Sequence, residues 1–284
     1  MQRPATLTLS AGLALLASLG CSSPSDPAGA PRIEPATCEA PGYQVEREAV
    51  TINRVRASIR LPSGEFAVGL DIQVCGINNC TPGKTRDQGE VDVSLSTPLV
   101  LPALKYGDGF DFAELAAPLG SEAQQDLGEL VALPLPALSD GAEFPKSGKL
   151  SNGDLTLELA SNSSVEHDIL VYRDEELVFR SVAIPVADSQ QALPKSFGFE
   201  LAYGLAPLGT TFCPPAKLSL KNTEHWPAGA DVEVFVQGLN VNEEWAPYAT
   251  WLQVAEARVS SDGSRIDTVS GGIPILSSLA LRRK

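Results

Sequence analysis

Residues 54–61, Arg54-Val55-Arg56-Ala57-Ser58-Ile59-Arg60-Leu61, alternate between polar or charged and apolar side chains at every step. In an extended chain neighbouring side chains leave on opposite faces, so Val55, Ala57, Ile59 and Leu61 share one face while Arg54, Arg56, Ser58 and Arg60 share the other. That is the pattern of a half-buried strand. It returns at Leu70, Ile72 and Val74, at Val91, Val93 and Leu95, at Leu155, Leu157 and Leu159, and at Val232, Val234 and Val236. Asp262-Gly263 lies between two further β-rich stretches and supplies the turn chemistry of a hairpin.

Helices have little room, because 24 Gly and 22 Pro punctuate the chain. The best helical window, Glu122 to Val131, contains Gly128 and reads equally as a loop or as one short helix. The expected fold class is therefore all-β, with two β-sandwich-like domains at 45–138 and 139–284. Proline and turn residues cluster at 135–148 and mark the boundary between them.

The amino-terminal 20 residues read as a secretory signal peptide. Arg3 precedes an apolar run from Leu7 to Leu19, which is too short to span a bilayer. Residues 22–41 are rich in Pro, Ser and Ala without apolar periodicity, so 21–44 reads as a tether. Ser18-Leu19-Gly20-Cys21 resembles a bacterial lipobox, which implies cleavage before Cys21 and lipidation of its thiol. Ser22 stands where an inner-membrane retention signal usually carries Asp, so the same resemblance implies an outer-membrane lipoprotein of the cell envelope, periplasmic or surface-exposed.

Five cysteines become an even set once Cys21 is given to lipid, as suits an oxidising compartment. Cys38, Cys75, Cys80 and Cys213 allow three pairings. The short Gly76-Ile77-Asn78-Asn79 turn favours Cys75–Cys80, with Cys38–Cys213 as the second bond. A net charge of −14 argues against nucleic acid and anionic headgroups as partners, since both require a basic footprint. Hydrophobic residues at 43% and charged residues at 20% fit a folded chain.

Leu61-Pro62-Ser63-Gly64-Glu65-Phe66-Ala67-Val68-Gly69-Leu70-Asp71-Ile72-Gln73-Val74, followed by Thr85-Arg86-Asp87-Gln88-Gly89-Glu90-Val91, resembles the carboxypeptidase regulatory-like domain, a transthyretin-like β-sandwich. The resemblance covers residues 52–96 and implies a non-catalytic module for folding, display or binding. The second half is similar to secreted lipoproteins of the myxobacterial type through Phe212-Cys213-Pro214-Pro215, Trp226-Pro227-Ala228-Gly229, Trp245-Ala246-Pro247-Tyr248 with Trp251, and Gly271-Gly272-Ile273-Pro274-Ile275. That similarity implies an address and an architecture, with no activity attached.

The residues that could carry chemistry are few. His167, in Val165-Glu166-His167-Asp168, could be oriented by its flanking carboxylates, yet the chain has no GxSxG, HExxH or phosphate-cradling loop to complete a site. His167 and His225 therefore read as turn residues. One CxxxxC spacing and two scattered histidines do not make a zinc site. Asp108 with Asp111, and Glu243 with Glu244, are carboxylate pairs that a glycosidase or, at Asp108 and Asp111, a calcium ion could use. Both read as solvated charge in an acidic chain. Trp245, Tyr248 and Trp251 fall within seven residues and are the ligand-binding candidates, since exposed rings on a β scaffold stack on sugars or anchor protein partners; the alternative is that they plug the end of a sandwich.

The sequence thus leads to a non-catalytic envelope lipoprotein acting as a binding or structural module. It requires no cofactor or metal, meets the membrane through its lipid, and has a protein or polysaccharide as its ligand. The competing reading is a secreted hydrolase with an unrecognised site.

Overall fold

The Arg54–Arg60 strand buries Val55, Ala57 and Ile59 and sends Arg54 outward, where its Nε donates to Asp92 Oδ1 at 2.5 Å on the neighbouring strand. It pairs antiparallel with Glu90–Ser94 and parallel with Gln124–Val131, giving a three-stranded sheet. A four-stranded sheet packs over it in the order Asn79–Lys84, Asp71–Gly76, Ala103–Tyr106, Leu115–Pro118. Ile72, Val74, Leu104 and Leu115 of this second sheet join Val55, Ile59 and Val91 of the first in one apolar core. The computed structural model describes residues 38–43, 47–167 and 173–284. The signal peptide, Cys21 and the tether apart from residues 38–43 lie outside these residues.

Gln124–Val131 corrects the sequence expectation, because this window is a strand rather than a loop or short helix. Pairing along Arg54–Arg60 and burial of Leu130 override a weak local preference. Gly128 adopts φ +64° at a register shift in that pairing, and its N–H donates to Asp126 Oδ1 at 2.9 Å. The glycine that weakened the helix reading therefore serves a β-bulge.

Residues 142–283 build one large antiparallel sheet. Its strands run in the order Ala142–Glu143, Val178–Ala183, Leu201–Ala206, Leu279–Arg283, Asp231–Gln237, Trp251–Val259, Arg265–Gly271, Thr211–Lys221, Leu155–Leu159, Gly148–Asn152. Ser164–Glu166 and Ile273–Ile275 also pair with Thr211–Lys221. The sheet curls until its ends meet: the Ser181 N–H donates to Asn152 Oδ1 at 2.8 Å, and Ser181 Oγ donates to the Asn152 carbonyl at 2.9 Å. Trp251–Val259 and Arg265–Gly271 form the hairpin expected around Asp262-Gly263. The molecule is all-β and sandwich-like, and no helix of seven residues or more occurs among the described residues.

Two apolar cores meet at the strand Leu201–Ala206, all six residues of which are buried. Leu201, Tyr203 and Leu205 face the interior of the rolled sheet with Val232, Val234 and Leu281. Ala202 and Ala206 belong instead to the core of the first sandwich, together with Phe199, Phe235 and Trp251. Gly204 makes the approach close, since a Cβ there would lie 2.3 Å from Ala113 Cβ. The described residues accordingly belong to one compact body.

Both expected disulfides are formed. Cys75 and Cys80 stand directly opposite each other in a hairpin, and Cys38 is joined to Cys213 on the long Thr211–Lys221 strand.

Candidate functional site

Alternation places Leu104 and Tyr106 in the sandwich core and turns Lys105 to the opposite face of the four-stranded sheet. Gln73 is its register partner. Residues 238–246 and 275–277 lie against the same face, and the space between is a half-open cavity of about 570 Å³. Leu208, Leu239, Val241, Trp245, Ile275 and Leu276 supply its apolar wall.

Lys105 Nζ stands 2.6 Å from Glu114 Oε1 with the two side chains only 14% and 12% exposed. Burial pushes the Glu114 carboxyl above the usual carboxylate range, with Lys105 opposing the shift and Asp108 adding to it. Glu114 Oε1 has this ion contact but no hydrogen bond of good geometry. A largely buried ion pair gains little net stability, because desolvation offsets the attraction.

Hydrogen bonds fix the surrounding walls. Gln237 Nε2 donates to the Ala116 carbonyl at 2.8 Å while its Oε1 accepts the Ala116 N–H at 3.2 Å, which clamps the rolled sheet to the edge strand of the sandwich. Asp108 Oδ1 accepts N–H bonds from Phe110, Asp111 and Phe112, so its carboxylate organises the loop at the cavity's edge. On the other side, Glu243 is buried at φ +51°. Its Oε1 accepts the Tyr248 N–H at 2.9 Å and pairs with Arg47 Nη1 at 2.6 Å. The Gly42 N–H donates to the Glu244 carbonyl, and Tyr43 Oη donates to the Trp245 carbonyl. The last residues assigned to the tether, Gly42 and Tyr43, and Arg47 just beyond it are thus strapped across the 240–248 loop, so this end of the tether is docked on the fold.

The aromatic candidates do not form an exposed platform. Trp245, Tyr248 and Trp251 are 6%, 0% and 6% exposed, and the fold sends them to three places. Trp245 lines the cavity. Tyr248 packs with Leu239, Ala249 and Cys75. Trp251 lies edge-on to Phe199 and donates its indole N–H to the Ala192 carbonyl at 3.0 Å. Pro247 and the positive φ of Ala249 break the strand geometry that would have put two of these rings on one face.

Neither histidine lines the cavity. His167 Nδ1 is 3.0 Å from Thr210 Oγ1 and its ring meets Phe144 edge-on; burial lowers its pKa. His225 sits in a turn at φ +52°. Of the carboxylate pairs, Asp108 and Glu244 reach the cavity while Asp111 and Glu243 do not. Among the described residues no three metal-ligating side chains cluster. Lys105, Glu114, Gln73 and Gln237 were not singled out by sequence. The local signal for the charged pair is a lysine between Leu104 and Tyr106, inside a buried strand, and a glutamate between Ala113 and Leu115, just before one. No protein-family model and no curated protein matches the chain.

Proposed function

We propose that this chain is a non-catalytic binding module of the bacterial cell envelope, carried on an outer membrane by a lipid on Cys21. The observation that carries the binding role is the cavity beside the Lys105–Glu114 pair. It has the size of a small-ligand site, and a saccharide end or a side chain of a protein partner fits it. The packing of a three-stranded sheet on a four-stranded one supports assigning 45–138 to the carboxypeptidase regulatory-like class, in which such sandwiches display or bind. The strap from Gly42, Tyr43 and Arg47 gives the tether a defined point of departure beside the binding loop.

Metabolic labelling with a palmitate analogue tests the anchor: label enters the wild type and is lost in Cys21→Ser. Label that survives the substitution removes the lipid reading. For the cavity, the indole N–H resonance of Trp245 is the reporter, assigned with Trp245→Phe in a spectrum of only three tryptophans. A neutral probe, 2-phenylethanol, shifts that signal in a saturable way if the cavity admits ligands.

A further inference from the structure

The cavity's charges are unequal. Asp71, Asp108, Glu114 and Glu244 line it, and among the described residues Lys105 is its one lining cation. Lys105 is taken by Glu114, and Asp71 is paired with Lys84 at 2.6 Å. Among the described residues no cation is paired with Asp108, whose Oδ1 takes only loop N–H bonds, or with the exposed Glu244, and no lining cation is left without a carboxylate. Trp245 and Phe110 belong to the same lining, and aromatic side chains attract cations through their faces. Behind the wall the Tyr248 hydroxyl is wholly buried, lacks a protein hydrogen-bond partner, and lies within electrostatic reach of Glu114. An anionic ligand would enter against a net negative lining, whose desolvated part is Glu114, where Coulomb terms weigh more than in water.

From this arrangement we infer that the cavity selects a ligand with an ammonium head on an apolar body: an alkyl- or arylamine, or the same group presented by a larger molecule. The inference rests on the cavity being a binding site and names the chemistry of its ligand. The head sits between Asp108 and Glu244, and the body lies against Trp245, Leu239 and Ile275. Polar donors on the head also reach the buried carboxylate of Glu114, which Lys105 satisfies only in part.

Three probes of one shape decide it: 2-phenylethylamine, 2-phenylethanol and phenylacetate, titrated against the 15N-labelled full chain with the Trp245 indole as reporter. The amine is expected to bind about tenfold more tightly than the alcohol, with the acid weakest. Glu244→Gln should cut the amine's advantage several-fold and leave the alcohol unchanged, because the loop bond at residue 244 uses its backbone carbonyl. Asp108→Asn keeps an oxygen acceptor for the loop and should act in the same direction. An alcohol or acid that binds as tightly as the amine overturns the ligand class while leaving the cavity reading intact. An amine advantage that neither variant reduces overturns the charge argument. If none of the three probes moves Trp245, the cavity reading itself falls.

Discussion

The strand Arg54–Arg60 and the strand Leu201–Ala206 are both central to their sheets, but they divide water from core differently. The first buries Val55 and Ile59 on one face and holds Arg54 and Arg56 on the other, as the wall of a sandwich does. The second has no wet face: Leu201 and Tyr203 enter one core, and Ala202 and Ala206 enter the other. Leu201–Ala206 is a partition. A wall strand can fail without exposing its neighbour's core, whereas a partition ties the stability of two layers together.

The largest expected effect tests that tie. Trp251 lies in the rolled sheet by sequence but in the sandwich core by contact, against Phe199. Trp251→Ala should lower stability by about 3–5 kcal/mol, the cost of a large aromatic cavity. Thermal melts should show one transition moving as a whole. Hydrogen exchange should lose protection at Ile59 and Leu104, in the other region, as well as at Val234. Loss confined to Val234 and its neighbours would break the comparison and make the two regions independent.

The same contrast explains what could be read in the sequence. Period-two alternation finds walls, so the strands around Val55, Ile72, Val91, Leu155 and Val232 were legible, as was the Asp262-Gly263 hairpin. Leu201–Ala206 shows no alternation because both of its faces are dry, and nothing in its sequence marks it as a strand. Gln124–Val131 was obscured by Gly128, whose role depends on a partner strand about 70 residues away in sequence. Part of the cavity was visible in outline through Asp108, Glu244 and Trp245, but its buried pair was not. Lys105 and Glu114 are ordinary charges until the 238–246 loop closes over them, and that closure is a tertiary fact.

Two glycines in the wall region sharpen the picture at a smaller scale. Gly128 and Gly89 have nearly the same backbone, φ +64° and +65°. A Cβ on Gly128 meets nothing within 4 Å, whereas one on Gly89 would lie 2.1 Å from the Ile59 carbonyl oxygen. Gly128→Ala should therefore cost only the left-handed backbone penalty, about 1–2 kcal/mol. Gly89→Ala should cost more, because the Arg54–Arg60 strand must move. Denaturant midpoints of the two variants check this, and equal losses would show that space around the turn is unimportant.

The smallest effect belongs to the exposed hairpin tip of the rolled sheet. Asp262 accepts from Ser260 Oγ at 2.5 Å, from Ser264 Oγ at 2.8 Å and from the Ser264 N–H at 3.0 Å. These bonds, Ser260 first, pull its carboxyl from the ordinary 3.8 down to about 2. A carboxylate with a depressed folded-state pKa stabilises the fold fully above its unfolded value, and loses that contribution as pH falls through the folded one. The turn should therefore hold at pH 5 and loosen between about pH 4 and 2, with the partition strand untouched because the tip is fully solvated. Carboxyl-carbon NMR of Asp262 should give a midpoint near pH 2 in the wild type and one closer to the ordinary value in Ser260→Ala. A wild-type midpoint near the ordinary value would mean that the serines do not hold the turn, and that Gly263 alone sets the hairpin's register.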